Sequence, residues 1–454
     1  VICDTALLMT APTSSPPPPV APGTTVDSVA EAVGVLGGSA LRAVVPSGTP
    51  GRMRLAQLGL SLLLVITAVV LNRGVAARAD AIATAGDEAA PVLLAAQEMK
   101  SALADANAAA ANNFLAGGIE QIDQRGRYEA GIAAASTQLN VAAGQATASA
   151  GPALQTVATG LPRYTGLVES ARANNRQLAP VGAAYLRQAN ALLRGELVPA
   201  IEALRDEGDS RLRAAGGDAS GGVSWGVVAL LVVSGLALLW VLRFLRLATR
   251  RVVNVGVVVA LALVGVTLLW TLFAVGRSAA DMADARADGY EPLGTLSEIR
   301  ALAFTAKGDE ARALINRGSG AADYQRVELA ALTVEELLNR LEGISASTAG
   351  SIRPAWADWI AVHREIASND AQGLYDDAVV LATAPLDERG TNSIFLTLDQ
   401  RLGESITSAR GRFEASTEGA DDALGALGVV GPILLLLAAA AVVWGIQQRV
   451  REYL

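Results

Sequence analysis

Four stretches of this chain carry no charged residue: Leu55 to Leu71, Val223 to Leu242, Val252 to Val275 and Leu424 to Ile446, of 17, 20, 24 and 23 residues. A helix needs about 20 apolar residues to cross the hydrocarbon core, and buried helices of soluble domains rarely stay uncharged that long. Each stretch is therefore read as a membrane span. The fold expected is an all-α membrane protein: four transmembrane helices (55-72, 223-242, 252-275, 424-446) carrying two tandem extracytoplasmic four-helix-bundle, sensor-like domains (73-222 and 276-423). Residues 1-54, 243-251 and 447-454 form the remaining tails and link.

Arginines decide the threading. Arg52 and Arg54 precede the first span, Arg243, Arg246, Arg250 and Arg251 fill the link between second and third, and Arg449 and Arg451 follow the fourth. By the positive-inside rule these pieces are cytoplasmic, with both termini inside the plasma membrane and the two long intervals outside. The inner pieces sum to a net charge of +5, the first outer interval to −2 and the second, counted to residue 427, to −11. A basic inner collar suits anionic lipid headgroups or an acidic partner, though topology control alone accounts for it. The acidic second interval reads as a solvated surface, since its carboxylates show no calcium-loop spacing.

Composition narrows the chemistry. Hydrophobic residues make up 52% of the chain but aromatic ones only 4%, so the apolar mass is helix-forming Ala, Leu and Val. One cysteine, Cys3, and one histidine, His363, exclude a disulfide framework and the usual multi-ligand metal site. Lysine occurs only as Lys100 and Lys307 beside 34 arginines, which reads as genomic bias. No phosphate loop, dinucleotide fingerprint, nucleophile elbow or paired histidine set is found. No enzyme, cofactor or nucleic-acid function is expected, and the spans lack the ionisable residues of an ion pathway.

The order span, outer domain of about 150 residues, span occurs twice. Tyr128-Glu129-Ala130 after Ala116-Gly117-Gly118 resembles Tyr324-Gln325-Arg326 after Arg317-Gly318-Ser319-Gly320. Pro162, Tyr164, Leu167 and Val168 share relative spacing with Pro354, Trp356, Trp359 and Ile360, so an internal duplication is expected. Apolar residues recur every three or four positions, as in Ile299, Leu302, Ala303 and Ala306. Breaks are expected at Gly117-Gly118, Gly151-Pro152 and Ala179-Pro180, and again near Arg317 to Gly320, Ser351 to Pro354 and Ser368 to Gly373. Three breaks make four helices of roughly 35 to 40 residues, about 50 to 60 Å long.

The first and third spans run outward without a breaker, through Asn72-Arg73-Gly74-Val75 and Gly276-Arg277-Ser278-Ala279. The return paths carry Gly216-Gly217 to Gly221-Gly222 and Gly419, Gly425, Gly428 and Gly431-Pro432, which are expected to loosen them. The first and third spans are thus the expected signal carriers. Trp356, Trp359, Ile360 and His363 share one helix face, which packing alone requires. Candidate partner contacts are the tip residues Arg172, Asn174, Asn175 and Arg176, able to meet a carboxylate, with Tyr324 and Tyr375 at the tip of the second domain. Candidate cytoplasmic contacts are Arg52, Arg54, Arg243, Arg246, Arg250 and Arg251. The inner tail from Met9, the expected start, is rich in Pro, Ser, Thr and Gly and is expected to be mostly disordered. Val26 to Val45 form a candidate short helix in it, and Thr24, Thr25 and Ser28 are candidate phosphorylation sites.

Span, four-helix outer bundle, span is the layout of the sensory part of bacterial chemoreceptors and many sensor kinases. Within this sequence no methyl-accepting, relay or kinase domain follows either bundle, so the signal is expected to pass to another protein. With the Pro-rich run Ser14 to Pro19, the Arg243-Phe244-Leu245-Arg246-Leu247-Ala248 link and the short C-terminal tail, the chain resembles the GlnX-type family of actinobacterial transmembrane signalling proteins over nearly its whole length. The resemblance rests on architecture and transfers no site residue. It implies a GlnH-like solute-binding lipoprotein reporting aspartate and glutamate from outside, and a PknG-like cytoplasmic serine/threonine kinase acting on nitrogen metabolism. The competing expectations are a non-signalling scaffold and an accessory subunit of an uptake system. Long bundles of this kind often pair, so a homodimer is a further candidate state.

Overall fold

The computed structural model describes residues 49–117, 121–177, 179–220, 223–249, 254–385 and 390–451. The inner tail to residue 48, with its start, candidate helix and phosphorylation sites, lies outside the described residues, as do Arg250 and Arg251. All regular structure among the described residues is helical, and four helices are long and apolar enough to cross a membrane.

Ala- and Leu-rich sequence without a breaker makes long rods. Helix α1, Thr49–Ala83, passes through a π-helical turn, Thr84–Ala89, into α2, Ala90–Leu115. From Gly51 to Leu115 this is one 65-residue helix, about 100 Å long. Module 1 continues with α3 (Ile122–Gln145), α4 (Gly151–Arg176), α5 (Val181–Leu192), a second π turn (Leu193–Leu197) and α6 (Val198–Ser220), before the span α7 (Val223–Thr249). The plan repeats: α8 (Val255–Asp284), a π turn (Ala285–Tyr290) and α9 (Glu291–Ile315) form a second rod, Val255–Ile315. Module 2 is completed by α10 (Ala321–Ile344), α11 (Ala346–Ala371), α12 (Tyr375–Thr383) and α13 (Thr391–Arg451), which ends in the fourth span.

The two rods share a local device. Pro91 and Pro292 each stand in the first turn of the helix that follows a π turn. Proline lacks an N–H and crowds the preceding turn, and the wider π turn absorbs both defects without breaking the rod. The same device at the same place, with paired helices of 26 and 25, 24 and 24, and 26 and 26 residues, agrees with a duplicated module.

Several expectations need correction. The first three helices of each bundle are 24 to 26 residues long, about 36 to 39 Å, because part of each long interval forms the stalk between bundle and span. The second break of module 2 falls at Ser345, in extended backbone (φ −145°, ψ 90°), and Pro354 lies inside α11 as Pro162 lies inside α4. One proline costs a helix a single hydrogen bond and a local clash, which a well-packed face offsets: Ala355, Trp356 and Trp359 beside Pro354 are buried. A further break, not anticipated, separates α12 from α13 around Ala384-Pro385 and Gly390.

The glycines of the fourth span do not loosen it: α13 runs helical for 61 residues through Gly419, Gly425, Gly428 and Gly431-Pro432. At Gly428 and Gly431 the missing side chains make room for α1. A Cβ on Gly431 would stand 2.8 Å from the Leu71 side chain, and one on Gly428 3.2 Å from that of Val75. At the other end of the span bundle a Cβ on Gly256 would stand 2.3 Å from the Ala441 carbonyl oxygen. There Asn254 both caps α8, accepting from the Val257 N–H, and donates to the Gly445 carbonyl at 2.9 Å. Small residues let membrane helices approach closely where apolar burial gives no net drive.

In the span bundle α1 and α8 each pack against both α7 and α13, around a core that includes Leu64, Leu71, Leu231, Val264 and Leu435. Thr67 and Ser234 join α1 to α7 with a buried hydroxyl pair at 3.0 Å. Both hydroxyls also lie within hydrogen-bond reach of carbonyls of their own helices, so the expected cost of Thr67→Val is small, about 0.6 kcal/mol. Equilibrium unfolding of the purified chain in detergent measures it; a loss above about 2 kcal/mol means that this pair holds α7 in place.

Candidate functional site

The two modules meet along α2 and α9, the membrane-distal halves of the two rods. Ala104, Asn107, Ala108 and Ala111 on α2 and Phe304, Gly308 and Ala311 on α9 are buried along this pair. A Cβ on Gly308 would lie 3.4 Å from the Ala108 Cα, in van der Waals contact, so the two helices run close together here. Around it sit more charged side chains than an apolar core tolerates unpaired.

Each of these charges has a partner, often in the other module. Lys100 Nζ reaches Glu202 at 3.2 Å in its own module and Glu298 at 3.0 Å in module 2. Arg194 Nη2 donates to both Asp309 oxygens at 2.8 Å, and Asp309 is 2% exposed. Asp309 also receives Arg312 and, at 3.2 Å, Arg326 Nε. Arg127 bonds Asp105 at 2.9 Å and approaches Asp399 of module 2 at 3.7 Å, while Arg300 bonds Asp399 at 2.8 Å. The guanidinium carbons of Arg127 and Arg300 both lie 5.5 Å from the centre of the Phe304 ring. Gln121 donates to the Thr383 carbonyl at 3.0 Å, and Tyr290 to Asp209, at opposite ends of the seam.

Deepest is the group around Glu310, which is fully buried. Its Oε1 accepts from Lys307 at 2.7 Å and from Thr391 at 3.0 Å, and its Oε2 lies 2.9 Å from His363 Nδ1. Burial alone pushes a carboxyl up; the Lys307 ammonium and His363 more than offset it and hold Glu310 at about 2. The balance goes the other way for Asp105, where burial outweighs Arg127 and raises the carboxyl to about 6. Asp309 is held below the usual range, Arg312 and Arg194 outweighing its burial.

The residues singled out from sequence fall in three places. Arg172, Asn174, Asn175 and Arg176 sit together at the end of α4, at the module 1 tip. Three of them serve the fold: Arg172 pairs with Glu169 at 2.5 Å, Asn174 donates to the Ser170 carbonyl at 2.8 Å, and Asn175 closes the end of α2 through the Phe114 carbonyl at 3.0 Å. Tyr324 and Tyr375 sit together at the module 2 tip, half-buried, donating to Asp370 at 3.0 Å and to the Leu314 carbonyl at 3.2 Å. Arg52, Arg54, Arg243 and Arg246 are exposed at the opposite end of the molecule, where α1 begins and α7 ends. Trp356, Trp359, Ile360 and His363 are buried on one face of α11, as their spacing requires.

The seam itself was missed, and one signal for it was in plain sight. The chain uses arginine almost everywhere, yet both of its lysines stand at the seam, Lys100 bridging the modules and Lys307 buried beside Glu310. An ammonium is a compact point charge with three donors on a flexible stem, whereas a guanidinium is a planar fork. No group of three or more His, Cys, Asp or Glu suited to a metal is found among the described residues. The arrangement suits transmission: two rods that continue into spans are held in register by cation–carboxylate pairs, and sliding one along the other breaks those pairs.

Residues 81–216 match the family model of the actinobacterial sensor domain, which places a sensor domain over nearly all of module 1 and implies a sensing role. No curated protein and no solved structure matches the chain.

Proposed function

We propose that the chain is a transmembrane signal transducer that relays the outside availability of the amino acids aspartate and glutamate to a cytoplasmic serine/threonine kinase. A GlnH-like solute-binding lipoprotein senses the amino acid and docks on the modules; a PknG-like kinase reads the inner face. The observation that carries this reading is the sensor-type module mounted on a helix that runs unbroken into a span. The positive-inside pattern puts the modules outside and the arginines Arg52, Arg54, Arg243 and Arg246 at the kinase side. Docking at the tips, around Arg172 to Arg176, Tyr324 and Tyr375, shifts one rod against the other. A bias of about 1 to 3 kcal/mol between two registers is enough for a signal of this kind.

The test is affinity purification of the tagged chain from its own membranes, with gentle crosslinking and mass spectrometry. Recovery of a solute-binding lipoprotein crosslinked to either module, together with a cytoplasmic kinase, is the expected outcome. Envelope proteins alone, from an intact and well-recovered sample, make the chain a scaffold instead.

A further inference from the structure

The seam has two sides, and they differ. On one, α3 and α13 flank the α2–α9 pair, and Arg127, Arg300, Asp105, Asp399 and the Phe304 ring fill the groove. On the other, between α6 of module 1 and α10 of module 2, a cleft of about 450 Å³ stays open. Packing of a duplicated bundle does not by itself leave such a space, since the opposite groove is closed. The volume lies in the usual range of small-ligand sites.

The cleft is lined by three cations, Lys100, Arg205 and Arg340, and three carboxylates, Glu202, Glu291 and Glu298. Lys100 is engaged with Glu202 and Glu298. The two guanidiniums are not comparably satisfied. Arg205 is half-buried and makes no hydrogen bond or ion pair among the described residues, and Arg340, exposed at the cleft mouth, has Glu336 at 3.7 Å. The cleft thus offers a carboxylate two guanidiniums without a close counter-ion, while the partly exposed carboxylates Glu202, Glu291 and Glu298 favour a positive charge beside it.

We infer that this cleft between the modules is a binding site for a small amino-carboxylate of amino-acid to dipeptide size, held by its carboxylate at Arg205 and Arg340 and by its ammonium among Glu202, Glu291 and Glu298. Such a ligand ties α6 of module 1 to α10 of module 2. It also touches α9 directly after the π turn that joins it to its span, at Tyr290 and Glu291. π turns inside helices are frequent at functional sites. The site goes beyond the relay proposed above and does not need it, because the ligand here meets the transducer itself.

The experiment is calorimetric titration of the full chain in lipid nanodiscs, with no other protein present, using free L-amino acids and dipeptides and the N-acetylated and C-amidated form of each. At least one free amino-carboxylate is expected to bind, with affinity falling about 10-fold or more when either end is capped. Arg205→Gln is expected to weaken binding about 10-fold or more while leaving the unfolding temperature of the unliganded chain unchanged, since that guanidinium holds nothing in the fold. The inference is overturned if no probe binds at about 10 mM, or if binding is indifferent to capping and to Arg205→Gln. A negative result here leaves the lipoprotein relay untouched, and recovery of the lipoprotein does not rescue this site.

Discussion

A Glu310→Leu chain is expected to unfold about 3 to 5 kcal/mol more easily than the native one, the cost of leaving a buried ammonium without its counter-charge. Lys307 is 3% exposed and Glu310 fully buried, so water cannot take the place of the lost carboxylate. His363 and Thr391 lose their shared acceptor in the same step, and with it the tie between α9, α11 and the start of α13. The double variant Lys307→Met/Glu310→Leu should recover most of the loss, because replacing a buried pair by apolar groups of similar volume is often neutral. Chemical unfolding in detergent, read through the buried Trp356 and Trp359, measures all three chains. If the single variant is no weaker than the double, the pair does not hold α9, α11 and α13 of module 2 together.

The same group sets an acid limit. Glu310 is held at about 2, below the ordinary range of a glutamate, so the folded state binds its proton less readily than the unfolded state does. A depressed carboxyl contributes stability that is complete above its unfolded value, about 4.3, and is lost as pH falls through its folded value. Stability of the native chain should therefore decline between about pH 4.5 and 2, and the double variant should lack that part of the decline.

What the sequence revealed, and what it hid, follows from how local each feature is. Span positions were legible because charge-free runs such as Val252 to Val275 need no partner to be understood. The continuity of α1 with α2 was legible too, since nothing from Asn72 to Val75 breaks a helix. Pro354 misled because a proline's effect depends on the helix face around it, and that face carries two buried tryptophans. Gly428 and Gly431 misled for a related reason: a glycine that loosens an isolated helix serves a packed one as a notch. The seam was out of reach in a stronger sense. Arg194 and Asp309 stand 115 residues apart, and no periodicity around the second π turn or on α9 announces that the two meet. Only the scarcity of lysine pointed there.

Breaking the first rod is expected to abolish signalling while leaving the modules folded. Gly74 lies in α1 between span and bundle, with no end or bend near it. A proline pair at Gly74 and Val75 removes two helical hydrogen bonds and clashes with the preceding turn, at a cost of about 3 kcal/mol or more for each proline in a helix interior. The helix relieves this by kinking, and a kinked rod turns a displacement of α2 into local bending that α1 does not pass on. The control is Ala346→Pro, at the exposed first position of α11 after an extended Ser345. A proline is tolerated there because the N–H it removes has no partner within the helix. Under the relay proposed above, kinase output against added aspartate or glutamate is the readout, with binding of the proposed lipoprotein as the check that the modules survive. An unaltered response in the Gly74→Pro/Val75→Pro chain rules out the first rod as the signal carrier. It then falls to the second rod, whose residues Gly276 to Ala279 are helical in the same way and accept the same test.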